Sequence, residues 1–136
     1  MVKLPHIEQS CAVPYRNDKS GLEFALITSR NTGRWIVPKG SVEDHMTPQA
    51  SAAKEALEEA GLLGEIGSKL LGEYFYTKFD RVHRVEIFSL RVTQSMDDWD
   101  EKHFRRREWV SGDIALERIT ELEIQDVIRR IIDKLN

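Results

Sequence analysis

Cysteine is almost absent. Cys11 is the single one in 136 residues, which excludes an internal disulfide framework. It lies in the apolar stretch Cys11-Ala12-Val13, where a small buried core residue is expected, and a lone thiol fits a reducing compartment. Long apolar runs are also lacking. None approaches membrane-spanning length, and no apolar signal core follows Met1, so a cytoplasmic protein with no membrane contact is expected. Nor does one sign of charge dominate. Lys and Arg number 20 against 23 Asp and Glu, a formal net charge of −3, without the basic footprint of a dedicated nucleic-acid binder. Repeats, low-complexity tracts and linkers are missing too.

What remains is an ordinary globular balance of 40% hydrophobic and 32% charged residues. The length suits one domain over residues 1–136 with one core. Ile7 to Arg16 reads as a strand, and Asn17 to Gly21 is a cluster of turn formers. Leu22 to Ser29 is an apolar run of strand length, suited to the middle of a sheet. Trp35-Ile36-Val37 is a short strand stopped by Pro38, with Trp35 as a core aromatic rather than a base-stacking platform.

The period then changes. Thr47 suits an N-cap, Pro48 the first helical position, and Gly61 the residue that ends the helix. Strand-like segments follow from about Lys69 to Lys78 and from about Arg84 to Thr93, with Phe79 to His83 as the hairpin loop between them. Arg107 to Val110 is another short strand, and Ser111 caps a brief helix through Ala115. Ile124, Val127, Ile128, Ile131, Ile132 and Leu135 form a helical stripe, preceded by Thr120 and Glu123 at capping-box spacing.

The helix between Thr47 and Gly61 has an unusual wheel. At roughly 100° per residue, Glu58 and Glu59 fall within about 60° of Glu55 on either side. Ala53, Ala56, Leu57 and Ala60 cluster opposite, as the face expected to pack on a sheet. Like charges one turn apart cost about 0.2–0.5 kcal/mol each in an isolated helix. On the wheel alone, a solvated acidic face is the better account of the pattern, with a site for a hard divalent cation, which takes oxygen ligands, as the competing one.

Residues 40 to 62, GSVEDHMTPQASAAKEALEEAGL, resemble the Nudix box. Gly40, Glu55, Ala56, Glu58, Glu59, Gly61 and Leu62 fall on its positions. Lys54 stands where the box has arginine, and Met46 where it has glutamate. The runs from Thr28 to Gly40 (TSRNTGRWIVPKG) and from Asp97 to Val110 (DDWDEKHFRRREWV) resemble the diphosphoinositol and diadenosine polyphosphate phosphohydrolase branch of that family. The resemblance implies an α/β Nudix fold, a mixed β-sheet sandwiched between helices.

It also implies a metal-dependent pyrophosphohydrolase acting on a diphosphate joined to another group, either a dinucleoside polyphosphate or an inositol pyrophosphate. Glu55, Glu58 and Glu59 would be catalytic. The metal, Mg2+ or in its place Mn2+, would be held by these glutamates and the backbone carbonyl of Lys39, with Glu58 favoured as general base. Gly40, Lys54 and Gly61 would support them, Lys54 in the bracing role of the family's arginine. Arg30, Lys39, Arg81, His83 and Arg105 are the candidates to meet substrate phosphates, each with a solvated surface charge as its competing reading. The competing function is a non-catalytic Nudix-fold module that binds a nucleotide or partner. An RNA 5′-end substrate fits the acidic balance poorly. The partner expected is a small-molecule phosphoanhydride, and the assembly a monomer or homodimer.

Overall fold

In the computed structural model, which describes residues 6–135, the strand β1 (Ile7–Asp18) lies at the centre of a mixed sheet. Its partner on one side is the 15-residue strand β7 (Arg81–Ser95), which runs parallel to it from the pair Ile7 and His83 to the pair Tyr15 and Arg91. Its other edge is shared. β4 (Lys39–Ser41) pairs with Gln9 to Cys11, and β2 (Gly21–Thr28) with Tyr15 to Asp18, both antiparallel. β3 (Trp35–Ile36) and β8 (Arg107–Ser111) extend the sheet beyond β2. β6 (Gly72–Lys78) and β5 (Leu62–Ile66) extend it beyond β7.

Neighbouring residues on a strand point to opposite faces, and here each face has its own core. Cys11, Val13, Phe24, Leu26, Val85 and Ile87 meet α3 (Leu122–Leu135) through its Ile124, Val127, Ile128 and Ile131. Ala12, Ala25, Ile27, Phe88 and Leu90 meet α1 (Pro48–Ala60) through Ala52, Ala56 and Ala60. α2 (Gly112–Arg118) contributes Ala115 and Leu116 to the α3 side. The expected mixed sheet between helices is therefore present.

The local signals held where they were complete. The Thr47 hydroxyl accepts the Ala50 amide at 3.1 Å, Pro48 opens α1, and Gly61 closes it at φ 66. That left-handed value suits glycine because other residues carry a Cβ that crowds there. Ser111 caps α2 through the Ile114 amide at 3.3 Å, and the helix runs past Ala115 to Arg118.

Four readings change. The hairpin loop shrinks from Phe79–His83 to Phe79 and Asp80 alone, at φ 52 and 57, the geometry of a two-residue turn. Arg81 and His83 therefore belong to β7. β5 was not anticipated, because only Leu62 of its first four residues is buried. β4 was hidden between Pro38 and the turn formers after it. Last, α3 begins at Leu122, which puts Thr120 one residue too early for the expected capping box. Its hydroxyl meets Arg34 and Glu121 instead.

Candidate metal centre and substrate cleft

α1 is packed through small side chains, and that brings its carboxylates down to the sheet. The buried face is Ser51, Ala52, Ala56, Glu59 and Ala60. It is rotated from the expected one: Leu57 is exposed, and Glu55 and Glu59 flank the alanine stripe rather than standing opposite it. One carboxylate oxygen of Glu59 accepts the backbone amide of Lys39 at 3.0 Å. The Glu55 carboxyl lies against Gly40, where a Cβ would fall 2.3 Å from its Cδ. Both acids thus sit on the Lys39–Gly40 backbone of β4, and Gly40 is needed there for space.

The charge balance of this patch is poor. Burial pushes the Glu59 carboxyl up to about 8, against the pull of the Lys39 amide and of Arg105. Burial, then the charge of Glu58, also raises Glu55. The Arg105 guanidinium is 3.4 Å from Glu59, but it is shared with Glu101 at 2.8 Å and with the Thr28 carbonyl at 2.9 Å. Arg105 was expected to meet substrate phosphate. It is buried instead, with its donors committed to the two acids and a strand end, because a guanidinium fork can serve several oxygens at once.

Lys54 was expected to brace the glutamates. Its ammonium pairs with Glu43 at 2.6 Å and with Glu58 at 3.4 Å, so it reaches Glu58 while Arg105 reaches Glu59. Glu58 is more open than Glu59, its side chain 36% exposed against 11%. Among the described residues, no three His, Cys, Asp or Glu side chains stand close enough together to hold an ion as they are placed. The groups that do converge are the carboxylates of Glu55 and Glu59, both held against the Lys39–Gly40 backbone. That set and its under-neutralised charge suit a hard divalent cation completed by water.

The C-terminal end of α1 is fixed by residues the sequence reading passed over. The Trp99 indole donates to the Glu59 carbonyl at 3.0 Å. Its ring crowds Gly61 so closely that a Cβ there would fall 2.8 Å away. Arg107 donates to the Ala60 and Met96 carbonyls at 2.7 and 2.9 Å and stacks over Trp99 at 4.2 Å. The i, i+4 spacing of Glu101 and Arg105 was a usable signal; nothing local announced Trp99 or Arg107.

On the other face of β4, the Lys39 side chain enters a cleft of about 230 Å3. Arg30, Arg34 and Lys78 also line it, over a floor that includes Val37, Tyr74 and Ile124. Lys39 donates to the Tyr76 hydroxyl at 3.1 Å, and that hydroxyl donates to Gln9 at 2.6 Å. His83 is buried and stacked on Tyr76, with ring centroids 4.5 Å apart. It therefore backs the tyrosine that backs Lys39. Arg30 is exposed above the Phe104 ring at 4.4 Å, and Arg81 is exposed at the start of β7. Of the five expected phosphate contacts, Arg30 and Lys39 line this cleft.

An acidic helix seated on a Lys-Gly strand, beside a cationic cleft in an α/β/α sandwich, defines a recognisable class. The NUDIX domain model matches residues 6–132, and the chain belongs to that family. Diphosphoinositol polyphosphate phosphohydrolase 3-alpha of Mus musculus is 34% identical over 111 residues, 80% of this chain and 66% of that protein. The 3-beta protein of Homo sapiens is 33% identical over the same shares. The chain thus spans just under two thirds of the length of these relatives. Among solved structures, the C. elegans Ap4A hydrolase superposes with a TM-score of 0.72 at 20% identity, over 97% of this chain and 100% of that one. The MutT protein of Methanosarcina mazei Go1 gives 0.73 at 21%, over 98% of each. These structural likenesses show the shared fold.

Proposed function

We propose that this chain is a metal-dependent pyrophosphohydrolase that cleaves a diphosphate joined to a larger group, a dinucleoside polyphosphate or an inositol pyrophosphate. The observation that carries the reading is the pair Glu55 and Glu59, both raised by burial and both seated on the Lys39–Gly40 backbone. Glu55, Glu59 and the Lys39 carbonyl would hold Mg2+, or Mn2+ in its place, with Glu58 contributing from the open side. The cation, when bound, supplies neutralisation of phosphate charge and a more acidic water.

The rest falls to the chain's own groups. Glu58 faces solvent and is steadied by Lys54, so it accepts the proton of the attacking water. Arg105 and Glu101 keep Glu59 in place from behind. Lys39, Arg30 and Lys78 bind the phosphates beyond the cleaved bond, and the Val37, Tyr74 and Ile124 floor receives the attached group. The lone buried thiol and the absence, among the described residues, of any helix long and apolar enough to cross a membrane support action in the cytoplasm. One domain over residues 1–136 serves this activity, though residues 1–5 and 136 lie outside the described part.

The test is a substrate panel with Mg2+ and with Mn2+, scored for which phosphates are released. Metal-dependent release from a dinucleoside polyphosphate or an inositol pyrophosphate is expected. No release from any compound, with nucleotide binding intact, would establish the non-catalytic module instead.

A further inference from the structure

The cleft beside Lys39 is not uniformly cationic. Against Arg30, Arg34, Lys39 and Lys78 it presents one carboxylate among its described lining residues, Glu121. Glu121 immediately precedes α3, and its position is fixed. One oxygen accepts Arg34 Nη2 at 3.2 Å and the other accepts the Thr120 hydroxyl at 3.4 Å. Arg34 Nη1 donates to the same hydroxyl at 3.3 Å. The Glu121 side chain is 19% exposed, against 49% for Arg34. The acid is thus the sheltered member of the pair and the arginine its tethered partner.

This arrangement has a cost for an anionic ligand. The carboxylate places a negative charge in a cleft that otherwise attracts phosphate. It also occupies one edge of the Arg34 guanidinium, the group best shaped to grip a phosphate in two places. An ion pair of this exposure contributes little to folding, typically about 0–1 kcal/mol, so stability alone is a weak reason to spoil a phosphate cleft. Discrimination is a stronger one, because a site rejects a wrong ligand through an unfavourable contact as well as by favouring the right one.

We propose that Glu121 is a specificity-determining residue, a charge filter that disfavours densely phosphorylated substrates. Each phosphate monoester carries about −1.5 to −2 charges at neutral pH, so an inositol pyrophosphate brings several such groups close to Glu121. A dinucleoside polyphosphate brings only its linear chain, and its nucleoside end is uncharged. The cleft therefore favours the dinucleoside polyphosphate class. The inference rests on the reading above, that the cleft receives the group attached to the diphosphate.

The experiment compares wild type with Glu121→Gln on diadenosine tetraphosphate and on a diphosphoinositol pentakisphosphate, with Mg2+. Glutamine still accepts a hydrogen bond from Arg34 but carries no charge, so it separates charge from tethering. The variant is expected to lower KM for the inositol compound by about five-fold, which is about 1 kcal/mol at about 1.4 kcal/mol per tenfold. KM for the dinucleotide should move by less than about two-fold, kcat should hold for both, and the gain should shrink between about 50 and 300 mM salt. Adding Arg34→Gln should remove the gain.

An unchanged ratio of kcat/KM for the two substrates overturns the proposal, and so does an equal loss on both with a lowered melting point, which would make Glu121 a tether only. Should wild type turn over neither compound, the hydrolase reading fails on its own. The filter is then read from the two Kd values by calorimetry, where an unchanged Kd ratio between wild type and variant overturns it.

Discussion

The two helical layers press on the same sheet in opposite styles. α3 brings Ile124, Val127, Ile128 and Ile131, large aliphatic groups each worth about 1.5–3 kcal/mol when buried. α1 brings Ser51, Ala52, Ala56 and Ala60, which gain far less from leaving water. What α1 gains is proximity. Its short side chains let the helix lie close enough for Glu59 to reach the Lys39 amide and for Glu55 to press on Gly40. The layer that contributes less to stability carries the acids of the proposed metal site, since a buried acid needs a near backbone rather than a greasy one.

If that division is right, damage to one side should be read in melting and damage to the other in turnover. The largest expected effect is on the α3 side. Ile128→Ala should cost about 2–5 kcal/mol of stability, measured by denaturant unfolding, with kcat per folded molecule unchanged; a cost under about 1 kcal/mol would deny α3 its anchoring part. On the α1 side, Glu59→Gln should lower turnover at least about 100-fold, some 2.7 kcal/mol of barrier, while circular dichroism shows the fold intact. Turnover like wild type would remove Glu59 from the machinery.

Gly40→Ala sharpens the contrast at smaller scale. The new methyl lands on the flexible end of Glu55, so the melting point should shift little while the rate falls about ten-fold or more through a displaced carboxylate. A large loss of stability with proportionate activity would show that the strand, not the acid, was disturbed. The smallest effect belongs to Glu55→Gln. Burial and the charge of Glu58 both disfavour its ionised form. At neutral pH and without metal, the variant should therefore be more stable than wild type, by about 0.5 kcal/mol for the Glu58 contact alone. Adding Mg2+ should then raise its melting point less than it raises that of wild type.

The legible parts of the sequence were those whose causes lie within one helical turn. Thr47, Pro48 and Gly61 bound α1 by local rules, and the isoleucine stripe marked α3 in the same way. The spacing of Glu55, Glu58 and Glu59 was equally visible. What the wheel did not reveal is which acids go under. That depends on how the helix is rolled against strands distant in the chain. Arg105 illustrates the limit: its i, i+4 partner Glu101 lies close in the chain, but its carbonyl partner, on Thr28, is 77 residues away, and it is that distant contact which buries it. The hairpin was misjudged for a different reason. Its two positions have the left-handed backbone that usually selects Asn or Gly, and Phe79 gives no such cue.

Lys39 faces two ways, with its amide on the acid helix and its ammonium in the cleft, and this sets an order of events during synthesis. Lys39 and Glu59 are 20 residues apart, so their contact can form soon after α1 leaves the ribosome. Arg34 and Glu121 are 87 residues apart, a delay of several seconds or more at roughly 5–20 residues per second. In a nascent chain the Lys39–Glu59 contact thus becomes available well before Arg34 can meet Glu121, while the Trp99 and Arg105 contacts that steady Glu59 come between the two.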